Sequence, residues 1–221
     1  MKEMRVIELK KGVFERNGLI ANGLREKLKQ EKTMLLNLMS SPGSGKTTLL
    51  VHTINMLKDK LKIAIMEADI DSDVDARTVA DKTGVDVIQL HTGGMCHLDA
   101  EMTQQGIKNL AAKSPNLIVL ENIGNLLCPA EYDVGAHKNA MILSVPEGDD
   151  KPLKYPKIFK VVDAVIISKT DTLSVFDFDM EACILRVKKL NPTVEIFPVS
   201  AKTGDGMDKW CNWLSKQINN I

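Results

Sequence analysis

Seven short apolar runs recur along the chain from residue 33 onward, each followed by a loop and a helical stretch. Several of the runs are continuous rather than alternating, which is typical of strands covered on both faces. Strands that alternate with helices predict an α/β fold, with a mostly parallel sheet of about seven strands, helices on both faces and right-handed crossovers. The predicted strands are residues 34–39, 63–66, 85–90, 117–120, 140–145, 164–167 and 194–199.

Helical periodicity lies between these runs, and one more helix is predicted before the first of them. Ile20, Leu24 and Leu28 are spaced by four and predict an amphipathic helix over the second half of residues 1–31, although Gly18 and Gly23 oppose it. We therefore predict an N-terminal helical segment, 1–32, followed by one P-loop domain, 33–221. The other predicted helices are 48–60, 97–112, 177–190 and 206–219.

Composition excludes several classes of protein. The 221 residues carry 29 Lys+Arg and 29 Asp+Glu, so the formal net charge is zero, which argues against a nucleic-acid partner held by bulk positive charge. No apolar run is long enough to cross a bilayer, so no membrane partner is expected. The start lacks the apolar stretch of a secretory signal. We expect a cytoplasmic protein, whose four cysteines are thiols or metal ligands rather than disulfides.

Residues 40–48 read S-S-P-G-S-G-K-T-T, between a predicted strand and a predicted helix. They match the P-loop pattern G-x-x-x-x-G-K-S/T, except that Ser40 stands where the first glycine belongs. Glycines let backbone N–H groups turn inward around phosphate oxygens, the lysine supplies charge for the β- and γ-phosphates, and the threonine supplies a hydroxyl for Mg²⁺. We predict catalytic roles for Lys46 and Thr47, within a phosphate cradle made of Gly43, Ser44, Gly45, Lys46, Thr47 and Thr48.

Two short motifs at strand ends favour guanine as the base. S-K-T-D, at 168–171, is close to N-K-x-D, in which the aspartate accepts hydrogen bonds from guanine N1–H and N2. Adenine would leave that carboxylate unpaired, which is costly. S-A-K, at 200–202, would offer a backbone N–H to guanine O6. A capping aspartate explains either motif alone, but together they assign the base to Lys169, Asp171, Ser200, Ala201 and Lys202.

Two acidic segments follow predicted strands, one at 67–75 and one at 121–122. Side chains at the carboxyl ends of parallel strands point into the ligand crevice. Asp69 and Glu121 come straight off strands, so we assign them to the Mg²⁺ shell together with Thr47. Asp75 either caps a helix or positions the attacking water, and the sequence leaves both roles open.

Cys96 and His97 are adjacent at a predicted loop-to-helix junction, and Cys128 falls in the long loop after Glu121. Thiolate and imidazole are ligands for Zn²⁺ and also suit Ni²⁺. Three ligands leave a tetrahedral site incomplete, which a symmetric dimer or His137, as a remote fourth ligand, would complete. The alternative is two buried thiols that act as small hydrophobic residues beside a helix-start histidine.

Taken together, these motifs resemble the HypB family. S-S-P-G-S-G-K-T-T, E-A-D, T-G-x-x-C-H-L, E-N-I-G-N-L-x-C-P, S-V-P-E-G-D-D-K and S-K-T-D match it over nearly the whole chain from about residue 33. The resemblance implies a GTP-hydrolysing metallochaperone that binds GTP or GDP, Mg²⁺ and nickel or zinc, and assists nickel insertion into nickel–iron hydrogenases. It places the metal site at Cys96, His97 and Cys128, and the nucleotide site at 43–48, Glu121 and 169–171.

The resemblance also implies partners. They are a second copy of the chain, in a homodimer that forms on GTP, the nickel-binding protein HypA, and a hydrogenase large-subunit precursor. Some members of the family carry a cysteine-rich or histidine-rich N-terminal nickel tract. The first 33 residues here contain neither Cys nor His, so we expect no such high-affinity N-terminal site.

Other functions stay open at the level of sequence. A urease-maturation GTPase is similar in fold, but its Cys-Pro-His motif is not matched, since Ala130 follows Cys128-Pro129. S-K-T-D and S-A-K disfavour a P-loop kinase of small molecules, and a metal-binding adaptor would use nucleotide only as a structural ligand. No Gln or Arg stands at an obvious catalytic position beside the P-loop, so we expect slow intrinsic hydrolysis. Lys151 either reaches a nucleotide across a dimer or is a solvated loop lysine.

Overall fold

The structure, a computed structural model, describes residues 9–221 as one sheet covered by helices. The strands are β1 (Met34–Ser40), β2 (Ile63–Asp69), β3 (Asp86–His91), β4 (Leu117–Glu121), β5 (Lys138–Ser144), β6 (Ala164–Ser168) and β7 (Glu195–Pro198). The helices are α1 (Leu9–Gln30), α2 (Lys46–Leu57), α3 (Val74–Thr83), α4 (Ala100–Asn109), α5 (Lys151–Lys154), α6 (Pro156–Val161), α7 (Met180–Leu190) and α8 (Met207–Asn219). Single 3-10 turns lie at Cys128–Ala130, Val145–Glu147 and Thr170–Thr172.

The seven strands form one sheet in the order β3-β2-β4-β1-β5-β6-β7, and every neighbouring pair is parallel. All residues of β1, β4 and β6 are buried, as their continuous apolar runs predict. The predicted α/β fold and its seven strands are therefore confirmed. Because β1 lies between β4 and β5, the loop that follows it stands at the middle of the carboxyl edge of the sheet.

Two helices begin three residues later than predicted, because an aspartate caps the first turn of each. Asp99 accepts a hydrogen bond from the Met102 N–H at 2.8 Å, so α4 begins one residue after Asp99 and not at 97. Asp179 accepts one from the Ala182 N–H at 2.9 Å, so α7 begins at 180 and not at 177. The first cap leaves residues 96–99 outside the helix, in a loop.

Helix α1 begins at Leu9, further back than the periodicity predicts, and it continues through Gly18 and Gly23. Leu24 and Leu28 are buried in one apolar cluster with residues of β2 and β4, and this packing offsets the low helix propensity of glycine. α1 thus lies on the sheet, while the division into 1–32 and 33–221 stays a prediction. In the described part of the chain no helix, α1 included, is long and apolar enough to span a bilayer.

Candidate functional site

The loop between β1 and α2 depends on two glycines with left-handed backbone. Gly43 has a φ of 73° and Gly45 a φ of 94°, conformations that residues with a Cβ rarely adopt. α2 begins directly after Gly45, so its unpaired N–H groups and positive dipole end face the loop. The buried Ser44 hydroxyl has no hydrogen-bond partner among the described residues. A loop with inward N–H groups and a spare hydroxyl fits a phosphate.

Ser40, the departure from the P-loop pattern, has a defined contact. Its side chain is fully buried. Its hydroxyl donates to the Ser41 carbonyl at 2.7 Å and accepts from Lys46 Nζ at 3.0 Å. Ser40 therefore orients the lysine ammonium group within the loop, which a glycine at this position could not do.

Two carboxyl groups lie beside Lys46. Glu67 on β2 and Glu121 on β4 are direct neighbours across the sheet and are 3% and 2% exposed. Glu121 Oε1 lies 3.8 Å from Lys46 Nζ. Burial raises the pKa of both carboxyl groups, and the Lys46 charge opposes that rise. One oxygen of each glutamate lacks a hydrogen-bond partner among the described residues, so the pair can accept from a water molecule.

Glu67 is not predicted from the sequence, because the strand-end argument favours Asp69. Asp69 Oδ1 instead accepts N–H bonds within its own loop, from Asp71 at 3.0 Å and Ser72 at 2.8 Å. The Ser72 N–H is the main cause that holds the pKa of Asp69 below its usual range. Residues two apart on a strand share a face, so the same segment that offers Asp69 also offers Glu67, and the register with Glu121 shows which one is buried.

Asp75 lies beside the threonine of the phosphate loop. The Thr47 hydroxyl donates to Asp75 Oδ1 at 2.9 Å. Asp73 occupies the N-cap position of α3 and pairs with Arg77, so the alternative that Asp75 is only the helix cap is wrong. Hydroxyl and carboxylate oxygens side by side are a ligand set suited to Mg²⁺.

The S-K-T-D and S-A-K motifs lie against each other after β6 and β7. Ser200 Oγ donates to Asp171 Oδ1 at 2.7 Å. The Thr170 N–H donates to the carbonyl that precedes Ser200, at 3.1 Å. Ala201 is half-buried and Lys202 is exposed. The geometry therefore brings the predicted base residues into one loop pair, with the Asp171 carboxylate oriented by a fixed hydroxyl.

The same motifs are joined to the phosphate loop. Ser168, which stands where N-K-x-D has asparagine, is buried and donates to the Ser44 carbonyl at 2.8 Å. Lys169, in a left-handed conformation with a φ of 60°, donates from Nζ to the Gly43 carbonyl at 2.7 Å. The phosphate and base loops thus form one continuous surface at the carboxyl edge of the sheet.

Cys96, His97 and Cys128 lie together, and their ligand atoms are all within 4.8 Å of one another. Cys96 Sγ is 3.0 Å from Cys128 Sγ and 3.9 Å from His97 Nδ1. Both cysteines are free thiols and half-buried, so the alternative of two buried hydrophobic thiols is wrong. The hydrogen bond with Cys128 raises the pKa of the Cys96 thiol. Two thiols and one imidazole form a donor set that fits Zn²⁺ or Ni²⁺.

His137 does not join this cluster. Its Nδ1 accepts from the Leu35 N–H at 3.1 Å, and its Nε2 lies 3.1 Å from the Arg25 carbonyl. Burial lowers the pKa of His137, in keeping with a neutral ring whose Nδ1 is an acceptor. The interpretation of His137 as a fourth ligand is therefore wrong. In residues 9–221 the cluster offers three protein ligands.

The segment 122–128 connects Glu121 to Cys128 and passes along the phosphate loop. Asn122 Nδ2 donates to Asn37 Oδ1 on β1 at 3.0 Å. A Cβ added at Gly124 would lie 3.0 Å from Pro42 Cγ and 3.1 Å from the Pro42 backbone nitrogen. The two loops are therefore in tight contact at Gly124, and an alanine there would make Pro42 or the segment shift by a few tenths of an ångström. The segment that ends at Cys128 thus packs against the phosphate loop at Gly124.

Lys151 begins α5, and its Nζ lies 5.5 Å from the centroid of the Tyr155 ring. That distance is within the range of a cation–π contact. A role for Lys151 across a dimer stays a prediction.

Comparison with known proteins identifies the family. Residues 34–198 match the family described as CobW/HypB/UreG, nucleotide-binding domain. The chain is 42% identical over 217 residues to hydrogenase maturation factor HypB of Escherichia coli (strain K12), with 98% of this chain and 74% of that protein covered. It is 39% identical over 217 residues to the hydrogenase/urease maturation factor HypB of Helicobacter pylori (strain J99), with 96% and 87% covered.

A solved structure agrees with the sequence match. HypB from Helicobacter pylori in complex with nickel superposes with a TM-score of 0.87 at 39% identity, over 93% of this chain and 96% of that one. The chain belongs to the CobW/HypB/UreG nucleotide-binding family and, within it, to the HypB hydrogenase maturation factors.

Proposed function

We propose that this protein hydrolyses GTP and uses the hydrolytic cycle to deliver nickel during the maturation of nickel–iron hydrogenases. One observation carries the proposal. Cys128, one of the three residues of the metal cluster, ends the segment that starts at Glu121, and Glu121 lies 3.8 Å from Lys46 of the phosphate loop. We call the phosphate loop, the base loops and the glutamates beside Lys46 the nucleotide edge. The short segment 121–128 thus connects the nucleotide edge, at Glu121, to the metal ligands, at Cys128. The Escherichia coli relative is named a hydrogenase maturation factor, and the Helicobacter pylori relative was solved with nickel.

Guanine is the base that the loops after β6 and β7 favour. Asp171 offers a carboxylate held by the Ser200 hydroxyl at 2.7 Å. Guanine supplies two N–H donors to such a carboxylate, whereas adenine would leave it unpaired at a cost of about 1–3 kcal/mol or more. Lys169, whose Nζ donates to the Gly43 carbonyl of the phosphate loop, would pack its aliphatic stem over the base.

Hydrolysis requires positive charge at the transferred phosphoryl group, which Lys46 supplies. Mg²⁺, when bound, neutralises charge on the β- and γ-phosphate oxygens. Thr47 and Asp75 would hold it, since their oxygens already lie 2.9 Å apart. To Asp75 and Glu121 we assign the orientation of the attacking water.

The cargo is nickel or zinc, held by Cys96, His97 and Cys128. Three protein ligands fall one short of a tetrahedral site, so a second copy of the chain that binds on GTP would complete it across a two-fold axis. By membership of the HypB family, HypA and a hydrogenase large-subunit precursor are the proposed further partners. The Helicobacter pylori relative is named a hydrogenase/urease maturation factor, so a urease apoprotein is a second candidate to receive the nickel.

Phosphate release from GTP tests the hydrolase. Lys46→Ala should slow release at least about 100-fold, because one electrostatic contact to the reacting group contributes roughly that factor. Lys60→Ala, at an exposed position after α2, is the matched control and should keep the parent rate. Release by Lys46→Ala at the parent rate would contradict the assignment of the phosphate loop.

Labelled γ-phosphate separates hydrolysis from the alternatives. We expect the label to appear as inorganic phosphate. Transfer of the label to an added small molecule would support a kinase, and binding of GTP without turnover would support an adaptor.

A further inference from the structure

We infer that helix α1 and Tyr132 position His97 as a metal ligand, so that the N-terminal helix is a working part of the metal site. The inference rests on the proposed metal site at Cys96, His97 and Cys128. Tyr132 and the α1 residues are positioning residues: they act on the metal through His97 and through the two loops that carry the ligands.

The His97 ring is stacked on the Tyr132 ring. Their centroids are 3.7 Å apart and their planes differ by 17°. The lone pair of an imidazole nitrogen lies in the ring plane, so a stack that restrains the plane also restrains the directions in which Nδ1 can point. Nδ1 lies 3.9 Å from Cys96 Sγ, on the side of the thiols. The stack therefore holds the imidazole in an orientation that suits a shared ion.

Helix α1 supports the stack from behind. The ring of Phe14, on α1, lies 5.1 Å from the Tyr132 ring at an angle of 42°. Aromatic pairs at such distances stabilise one another by about 0.5–1.5 kcal/mol beyond the burial of their area. Three aromatic rings thus form a column that runs from α1 to the metal ligand.

Asn17, one turn further along α1, joins the two ligand-bearing loops. It is 8% exposed. Its Nδ2 donates to the Asp133 carbonyl at 2.8 Å, in the loop after Cys128. Its Oδ1 accepts from the Ala100 N–H at 2.9 Å, three residues after His97. One buried amide therefore bridges the segments that carry His97 and Cys128, and fixes their separation.

Arg25 adds a second attachment to the same loop. Its Nη2 donates to both carboxylate oxygens of Asp133 at 2.8 Å, and its Nε donates to the Ala136 carbonyl at 2.9 Å. The guanidinium group thus contacts this loop at two places, the Asp133 carboxylate and the Ala136 carbonyl. α1 consequently holds the loop after Cys128 at several points.

These contacts matter because the ligands themselves are on half-buried loops. A site assembled from mobile ligands loses affinity when the ligands must be ordered on binding, and residues that orient ligands typically contribute 10–100-fold in metal affinity. The column of rings and the Asn17 bridge would supply that order before the ion arrives.

The test measures nickel and zinc affinity by competition with a chromophoric chelator, together with X-ray absorption of the nickel-loaded full chain. Tyr132→Leu should weaken binding about 10–100-fold and reduce the imidazole contribution to the nickel spectrum. Tyr132→Phe keeps the ring and should stay within about threefold of the parent. Leu19→Ala, on an exposed position of α1, is the matched control and should change neither quantity.

GDP affinity and circular dichroism show whether Tyr132→Leu folds. If it does not, Phe14→Ala, a change at a half-buried residue, replaces it and should also weaken metal binding. Parent-like affinity with an intact imidazole signal, in whichever variant folds, would overturn the inference. Failure of the proposed metal site is distinct: the parent itself would then bind nickel no better than a Cys96→Ser/Cys128→Ser variant.

Discussion

The nucleotide edge consists of strand residues and of the loops that directly follow strands, whereas the thiol–imidazole cluster lies on longer loops beside it. Glu67 and Glu121, on neighbouring strands, are almost fully buried, while Cys96 and Cys128 are half-buried. Strand packing fixes the first region. The second needs supports of its own, which α1 and Tyr132 provide. The difference teaches that a site fixed by strand packing and a site carried on loops can be coupled when one short segment connects them.

The joining segment is 122–128. It begins beside Glu121, touches the phosphate loop where Gly124 meets Pro42, and ends at Cys128. We therefore expect a change of bound nucleotide to alter the metal affinity of the thiols through this segment, and bound metal to alter the nucleotide affinity. The predictions below separate the two regions first and then test the link.

The largest expected effect is on the choice of base. Asp171→Asn replaces an acceptor oxygen by an amide donor, which should oppose guanine N1–H and N2 and suit xanthine. We expect GTP affinity to fall about 100-fold or more relative to XTP, measured by competition. Asp177→Asn, an exposed neighbour, is the control. Nickel affinity of the nucleotide-free protein should not change, and full GTP preference in Asp171→Asn would refute the base assignment.

A smaller effect is expected at the link itself. Gly124→Ala would put a Cβ 3.0 Å from Pro42 Cγ and should push the segment off the phosphate loop. Coupling between two sites is typically 5–150-fold, and we expect Gly124→Ala to reduce it to less than about twofold. The measurement is nickel affinity with GDP and with a non-hydrolysable GTP analogue.

Gly18→Ala is the matched control for that variant, because no atom lies within 4 Å of its added Cβ. It should preserve the coupling of the parent. If Gly124→Ala preserves the coupling as well, the segment is not the link.

The smallest expected effect is the contribution of His137 to the pH dependence of folding stability. Burial lowers the pKa of His137 below the ordinary value of 6.5, so the folded state favours the neutral ring. The unfolded chain then binds a proton first as pH falls. The stabilisation is complete above about pH 6.5 and is lost as pH falls through that value toward the folded pKa. Urea unfolding at several pH values should show this decline in the parent.

His137→Asn removes the titrating ring and should flatten that decline, while His91→Asn, at an exposed position, should leave it unchanged. Loss of nickel binding in His137→Asn, with stability intact, would instead return His137 to the list of ligands. The variant thus sharpens the distinction between the structural histidine and His97.

The sequence predicts the sheet well, because central parallel strands are continuous apolar runs whose pattern needs no tertiary information. It predicts Lys46 and Thr47 because they are adjacent in one motif. Cys128, in contrast, is 32 positions from Cys96, so only the resemblance to the HypB family joins the three residues of the thiol cluster at the level of sequence. The sequence fails at Glu67, since only the register between β2 and β4 shows which carboxylate is buried beside Lys46. It also fails at the start of α1, where packing on the sheet outweighs the low propensity of glycine.

The supports of the metal site are beyond the sequence for a similar reason. Phe14 and Asn17 are more than 80 positions from the residues they hold, and their contacts follow from how α1 docks. Short-range sequence patterns do not predict such long-range contacts. His137 shows the opposite error, where the type of residue and its nearness to the loop suggest a ligand that backbone hydrogen bonds exclude.

The most direct test of the account is the affinity of the parent protein for nickel and zinc in its two nucleotide states. The protein is loaded with GDP or with a non-hydrolysable GTP analogue and titrated with each metal, and the reciprocal titration measures nucleotide affinity with and without metal. We predict metal affinities that differ at least about fivefold between the two states, with nucleotide affinity shifted by the same factor. Equal metal affinities in both states, with Cys96→Ala and Cys128→Ala weakening only the dimer, would contradict the account and leave the cluster as a static clip.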